Sequence, residues 1–106
     1  MFFVDYRVED DKLFLQRTPE EREPLLARLK RIEGQVRGLQ QMIQADRYCG
    51  DELQQIAALQ AALREVALML TEQHVATGLD RILQSGDVTE GVDEIKAVLR
   101  AALRQR

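Results

Sequence analysis

Two residues of this chain stand out for the chemistry they can do: Cys49 and His74, its only cysteine and only histidine. A thiolate and a neutral imidazole are ligands suited to Cu(I) or Zn(II). The same thiolate is a nucleophile open to an electrophile. Cys49 stands just before a helical pattern, where the helix dipole favours a negative charge. The bland readings are common ones. A lone free cysteine is often an inert small hydrophobe, and a lone histidine on an apolar face is often a satisfied core residue. Nothing suggests an oxyanion or substrate pocket for a Cys/His dyad, so no enzyme is expected.

The element that must position both residues is a long helix predicted over about Asp51 to Leu83. Leu53, Ile56, Leu59, Leu63, Val66 and Leu70 lie on one face of it, and His74 continues that stripe. Cys49 and His74 are 25 residues apart, about 37 Å along a helix. They cannot meet within one straight helix. If the helix pairs antiparallel with its copy across a two-fold axis, Cys49 of one subunit meets His74 of the other. A dimer then has two equivalent intersubunit sites.

A first helix is announced by Thr18-Pro19-Glu20-Glu21, a capping box with proline at the first helical position. Leu25, Leu29, Ile32, Val36, Leu39 and Ile43 follow in a near-heptad stripe. Gly34 and Gly38 lie within it, where close helix approach is expected. Asp46 and Gly50 fit a connection, with Gly50 or Asp51 capping the second helix. Gly78 is a place where that helix could bend or fray. Gln84-Ser85-Gly86 reads as a turn, and Asp87-Val88-Thr89-Glu90 as a second box-like start. Val92, Ile95, Val98, Leu99, Ala102 and Leu103 then face inward on a third helix. Residues 1–17 form an N-terminal arm, holding Phe2, Phe3, Tyr6 and Phe14 with no clean period. The arm is either mobile or docked on a partner subunit. No strand-period run is read anywhere. The expected fold is all-α: an N-terminal arm over 1–17 and a three-helix domain over 18–106. Helices of about 40 and 45 Å cannot cover one another within a chain this short. A shared, antiparallel four-helix dimer core is therefore expected.

Composition sets the outer limits. The chain has 106 residues, 45% hydrophobic and 31% charged, with a net charge of −3. That reads as one globular domain and not as an indiscriminate nucleic-acid binder, although a local basic face remains open. One cysteine excludes an intrachain disulfide framework. No apolar run approaches a membrane span. Met1-Phe2-Phe3-Val4 is followed at once by Asp5, unlike a signal peptide. A cytoplasmic location is expected.

The string Arg28-Leu29-Lys30-Arg31-Ile32-Glu33-Gly34-Gln35-Val36-Arg37-Gly38-Leu39, then Tyr48-Cys49, Gln55-Ile56 and His74, resembles the CsoR/RcnR/FrmR family of bacterial repressors over about residues 18–104. The resemblance implies an antiparallel four-helix dimer core, with dimers pairing into a homotetramer. It implies operator DNA binding in the ligand-free state, with no cofactor required, and release on effector binding. It makes Cys49 and His74 the effector site, with Tyr48 and Glu94 as outer-shell residues of the copper-sensing branch. The third ligand position of copper and nickel sensors falls on Gly78, which has no side chain to offer. Cu(I) is the favoured effector, held by Cys49 and His74 alone or with a third ligand from the arm. Formaldehyde, modifying the same cysteine, is the alternative. The formaldehyde branch starts near the equivalent of Leu15 with a proline that Gln16 replaces here, after fifteen preceding residues.

The same resemblance assigns DNA contact to Arg28, with Arg31 one turn further along, and Lys30 and Arg37 elsewhere on the first helix. Family members lack a helix-turn-helix, so phosphate contacts should dominate. Lys96, Arg100 and Arg104 are a weaker second candidate. Without DNA binding, the remaining reading is a thiol-dependent metal or redox buffer. Ligand-sensitive binding to DNA upstream of the chain's own gene separates the two.

Overall fold

The computed structural model describes residues 4–104. Met1, Phe2 and Phe3 of the expected aromatic arm lie outside the described residues. In order the chain forms β1 (Asp5–Glu9), β2 (Lys12–Gln16), α1 (Pro19–Gln44), α2 (Cys49–Ser85) and α3 (Val88–Leu103). The three expected helices are present.

Helix α1 begins as its sequence requires. Thr18 Oγ1 accepts from the Glu21 backbone N–H at 3.1 Å, and Glu21 Oε1 accepts from the Thr18 N–H at 2.8 Å. Two otherwise orphaned donors are thereby satisfied. The α1–α2 connection is shorter than expected. Asp46 takes a left-handed conformation, φ 51°, and Tyr48 is the N-cap of α2. Cys49 is thus the first residue of the helix, and Gly50 lies inside it rather than capping it. Helix α2 runs unbroken for 37 residues, through Gly78 without fraying. It stops at Gly86, whose φ of 77° suits a residue without Cβ. The expected box at the start of α3 does not form. Asp87 makes no side-chain cap, and its N–H instead donates to Ser85 Oγ at 3.1 Å.

The N-terminal arm departs most from expectation. Residues 5–16 are an antiparallel hairpin pairing Tyr6 with Leu15, Arg7 with Phe14 and Val8 with Leu13. Asp10 and Asp11 make the turn, with φ of 50° and 60°. Positive φ at both central residues is what a tight hairpin needs, and aspartate tolerates it. A period-two pattern is present: Tyr6, Val8, Leu13 and Leu15 share one face. Phe14 on the other face obscures it, where its ring lies 4.7 Å from the Arg7 guanidinium carbon. The hairpin docks on its own protomer's helices, burying Val4 and Leu13. Among the described residues no helix is long and apolar enough to cross a membrane.

The core is small. Leu25 and Ile32 of α1 pack with Leu59 and Val66 of α2, flanked by Leu39, Ala62 and Met69. The rest of the two stripes is uncovered: Leu29, Val36 and Ile43 on α1, and Leu53, Ile56, Leu63 and Leu70 on α2. The protomer is elongated, 58 × 28 × 23 Å. Of the α1 glycines, Gly38 faces α2, with Gln55 Nε2 at 3.8 Å from where a Cβ would lie. Gly34 meets only Arg37 of its own helix, because that face turns away from α2.

The tight glycine contacts between helices are instead those of α2 with α3, and they are reciprocal. A Cβ on Gly78 of α2 would lie 2.8 Å from Ile95 Cγ1 of α3. A Cβ on Gly91 of α3 would strike Ile82 Cγ1 of α2. Each helix gives up a side chain where the other inserts an isoleucine, and isoleucine in a helix has little χ1 freedom to yield. Gly91→Ala should therefore destabilise the fold by about 1–3 kcal/mol, despite alanine's better helix propensity. Urea melts at fixed protein concentration would show it. Ile82→Ala in the same chain should recover part of the loss, a coupling that independent sites would lack.

Candidate functional site

His74 lies on the side of α2 that meets α3, four residues before Gly78. Glu94 of α3 immediately precedes Ile95, so the glycine contact that seats Ile95 also brings Glu94 to the imidazole. His74 Nε2 and Glu94 Oε1 are 2.5 Å apart, with the side chains 14% and 8% exposed. Leaving a carboxylate this buried without donors would cost on the order of several kcal/mol. Glu94 has two donors. Oε1 accepts from the imidazole, and Oε2 accepts from the Leu13 backbone N–H at 3.3 Å. An ionised carboxylate can only accept, so a neutral imidazole facing it would carry its proton on Nε2. In that tautomer Nδ1 keeps its lone pair and is the nitrogen free to bind a ligand.

Cys49 is exposed at the other end of the same helix. Tyr48 beside it is 76% exposed, and its ring lies across Gly50, where a Cβ would collide with it. Within one protomer, then, His74 and Glu94 come together, while Cys49 and Tyr48 stay apart from them. The unbroken helix keeps Cys49 and His74 about 37 Å apart. Among the described residues of one protomer no three His, Cys, Asp or Glu side chains converge. Gly78 is closed as well as bare, because Ile95 occupies the space a side chain would need. Beside His74 a groove of about 630 Å³ is lined by Leu13, Leu63, Leu70 and Val98 among others.

Sequence reasoning missed the docking of the hairpin around His74. Thr77 is fully buried, and its Oγ1 accepts from the Val4 N–H at 3.0 Å. Arg17 Nε donates to Gln73 Oε1 at 2.8 Å. Burial lowers the Arg17 pKa from its ordinary value, with Arg22 adding to the effect and Glu21 opposing it. The sequence offers little signal for it, because Gln73 and Thr77 are two among many polar residues of α2. Arg28, Lys30, Arg31 and Arg37 are all exposed on α1. None of the four forms an ion pair among the described residues.

Residues 21–101 match the family described as metal-sensitive transcriptional repressors. The chain is 42% identical over 91 residues to the copper-sensing transcriptional repressor CsoR of Bacillus subtilis (strain 168), covering 86% of this chain and 90% of that protein. It is 49% identical over 59 residues to the copper-sensing transcriptional repressor RicR of Mycobacterium tuberculosis, covering 56% of this chain and 62% of that one. Among solved structures it resembles the nickel-responsive transcriptional regulator InrS, with TM-score 0.75 and 32% identity over 81% of this chain and 97% of that chain. It also resembles the copper-sensing repressor CsoR with Cu(I) from Geobacillus thermodenitrificans NG80-2, with TM-score 0.73 and 43% identity over 83% and 92% of the two chains.

The two acceptor demands on Glu94 make a prediction. A glutamine there has one oxygen and one NH2. If the oxygen serves Leu13, the NH2 faces the imidazole; if it serves His74, the NH2 faces the Leu13 N–H. Glu94→Gln should therefore shift the single histidine from the Nε2–H tautomer toward a mixture. Nitrogen-15 spectra of the ligand-free protein read this without assignment ambiguity, because the chain has one histidine.

Proposed function

The chain belongs to the family of metal-sensitive transcriptional repressors, and from that premise we propose that it holds operator DNA when ligand-free and releases it when Cu(I) binds Cys49 of one protomer and His74 of another. At the coarser level it is a metal-responsive transcriptional repressor and not an enzyme. The observation that carries the finer reading is the His74–Glu94 pair. It ties back one imidazole nitrogen and leaves the other available, as a ligating histidine requires.

The donor set suits the ion. Cu(I) accepts thiolate and imidazole ligands, and bound there it would join two protomers through one of each. Two relatives carry copper sensing in their names. Length supports pairing across protomers, since one helix separates its own Cys49 and His74 by about 37 Å and a single protomer cannot bring them together. The uncovered seam of Leu29, Val36, Ile43, Leu53, Ile56, Leu63 and Leu70 supports an antiparallel dimer core, with dimers pairing into a tetramer. Arg28 and Arg31 are exposed one turn apart and unpaired on the same side of α1. They serve DNA phosphates, with Lys30 and Arg37 adding positive charge elsewhere on the helix. The closed Gly78 position favours a second reading. Formaldehyde needs no third ligand, because addition of the Cys49 sulfur to its carbonyl gives an S-hydroxymethyl group once the oxygen takes up a proton.

The deciding experiment is anisotropy of labelled DNA from upstream of the chain's own gene, with reduced protein and added Cu(I). DNA should bind without effector and dissociate as Cu(I) is added. Cys49→Ala and His74→Ala should each bind DNA and fail to release it with Cu(I). Release by formaldehyde alone, with weak Cu(I) uptake, would move the assignment to the second reading; no DNA binding at all would leave only a thiol buffer. Arg28→Ala should weaken DNA binding about tenfold at low salt and lower the salt slope by about one for each phosphate that is no longer neutralised. An unchanged slope in a salt titration would remove Arg28 from the DNA face.

A further inference from the structure

The hairpin over residues 5–16 is the part of the fold that the repressor reading leaves unused, and it is bonded to the residues around His74. Its hold on the helices has three polar points. Val4 N–H donates to Thr77 Oγ1, Leu13 N–H to Glu94 Oε2, and, just past the hairpin, Arg17 Nε to Gln73 Oε1. Gln73 and Thr77 are one turn apart on α2 and bracket His74. Val4 and Leu13, 7% and 5% exposed, anchor the same segment by apolar burial. We propose that this hairpin is a strap that positions His74 through Glu94, and that effector binding at His74 tightens it in return. The second half rests on the reading of His74 as an effector ligand.

The register of the hairpin explains why a backbone N–H is available to Glu94. With a two-residue turn, Glu9 and Lys12 are the closing pair, the pair that exchanges hydrogen bonds. The next pair, Val8 and Leu13, directs its backbone groups away from the partner strand. The Leu13 N–H therefore points outward and is met by Glu94. A carboxylate held at both oxygens has one orientation, and in that orientation it accepts from Nε2 and keeps Nδ1 free. Undocking the hairpin would return Oε2 to water and release the Glu94 rotamer. The ligand would then have to order what the strap now holds in place, and its affinity would fall. Linkage is reciprocal: if docking raises ligand affinity by some factor, ligand strengthens docking by the same factor. The strap also has an outlet, since Gln16 is followed by Arg17 and then by Thr18, the cap of α1.

The test leaves Cys49, His74 and Glu94 untouched. In the full chain, Thr77→Val removes the hydroxyl that accepts from Val4 and keeps the volume. Thr77→Val/Gln73→Ala also removes the acceptor for Arg17. Hydrogen exchange of amides 5–16 reports whether the hairpin has come free. Nitrogen-15 spectra of the single histidine report its tautomer without any effector. Competition against a chromophoric Cu(I) chelator reports affinity. We expect faster exchange over the hairpin, a mixed histidine tautomer and a Cu(I) affinity about tenfold weaker. In the wild type, added Cu(I) should slow exchange at the Leu13 amide by the same factor. Faster exchange with an unchanged tautomer and unchanged Cu(I) affinity would make the hairpin structural only and overturn the strap. If neither variant frees the hairpin, these bonds do not hold it and the proposal also falls. A wild type that takes up no Cu(I) would refute the copper reading and, with it, the tightening. The positioning of His74 would still be decided by the tautomer alone.

Discussion

A helix of 37 residues cannot fold back on itself, and most of this protein follows from that constraint. It fixes Cys49 and His74 about 37 Å apart. Packing of α1 on α2 buries only Leu25, Ile32, Leu59 and Val66 in the shared core, and the rest of both apolar stripes, Leu29, Val36 and Ile43 on α1 and Leu53, Ile56, Leu63 and Leu70 on α2, stays uncovered. An exposed row of leucines, isoleucines and valines of this extent is uncommon on a protein that works alone. A second copy related by a two-fold axis, as proposed above, would answer both facts at once. It would cover the seam and bring the start of one α2 beside the latter half of the other.

What makes His74 more than a residue on an apolar face is the packing around it. The α2–α3 contact is close because Gly78 and Gly91 each leave room for an isoleucine of the other helix. That closeness places Glu94 against the imidazole, and burial of the carboxylate makes its two donors necessary rather than optional. One glycine therefore has two consequences. Gly78 supplies no ligand, and its bareness allows the helix contact that orients the histidine. On the proposed reading, a thiolate and a firmly held imidazole without a third side-chain donor would fit an ion of low coordination number or an electrophile better than a metal demanding four ligands.

The hairpin adds a layer that its own composition hides. Its tip carries Glu9, Asp10 and Asp11, which suits neither a DNA contact nor a buried position. Its inner edge is different. There Val4 and Leu13 are buried, and their backbone N–H groups meet Thr77 and Glu94. The segment docks by main-chain donors, which no side-chain pattern announces.

Much of this was legible in the chain itself. The capping box at Thr18 forms because threonine and glutamate at that spacing satisfy each other's backbone donors locally. The three helices form where the apolar stripes and turn residues put them, since periodicity reflects burial on one face. The separation of Cys49 and His74 needed only the rise of a helix. The similarity to metal-sensitive repressors was carried by local strings in α1 and around Cys49 and His74. Other features depend on residues distant in sequence. The hairpin was missed because five-residue strands give a weak period and Phe14 interrupts it. The close approach expected at Gly34 occurs instead at Gly78 and Gly91, because sequence marks a glycine but not what lies against it. Sequence by itself determined which residues can do chemistry and that one helix must keep two of them apart. Only the tertiary structure decided that Glu94 holds His74, that Ile95 closes Gly78 and that the hairpin reaches both sides of the histidine. Those are contacts between elements up to 81 residues apart, and they depend on packing that no local pattern encodes.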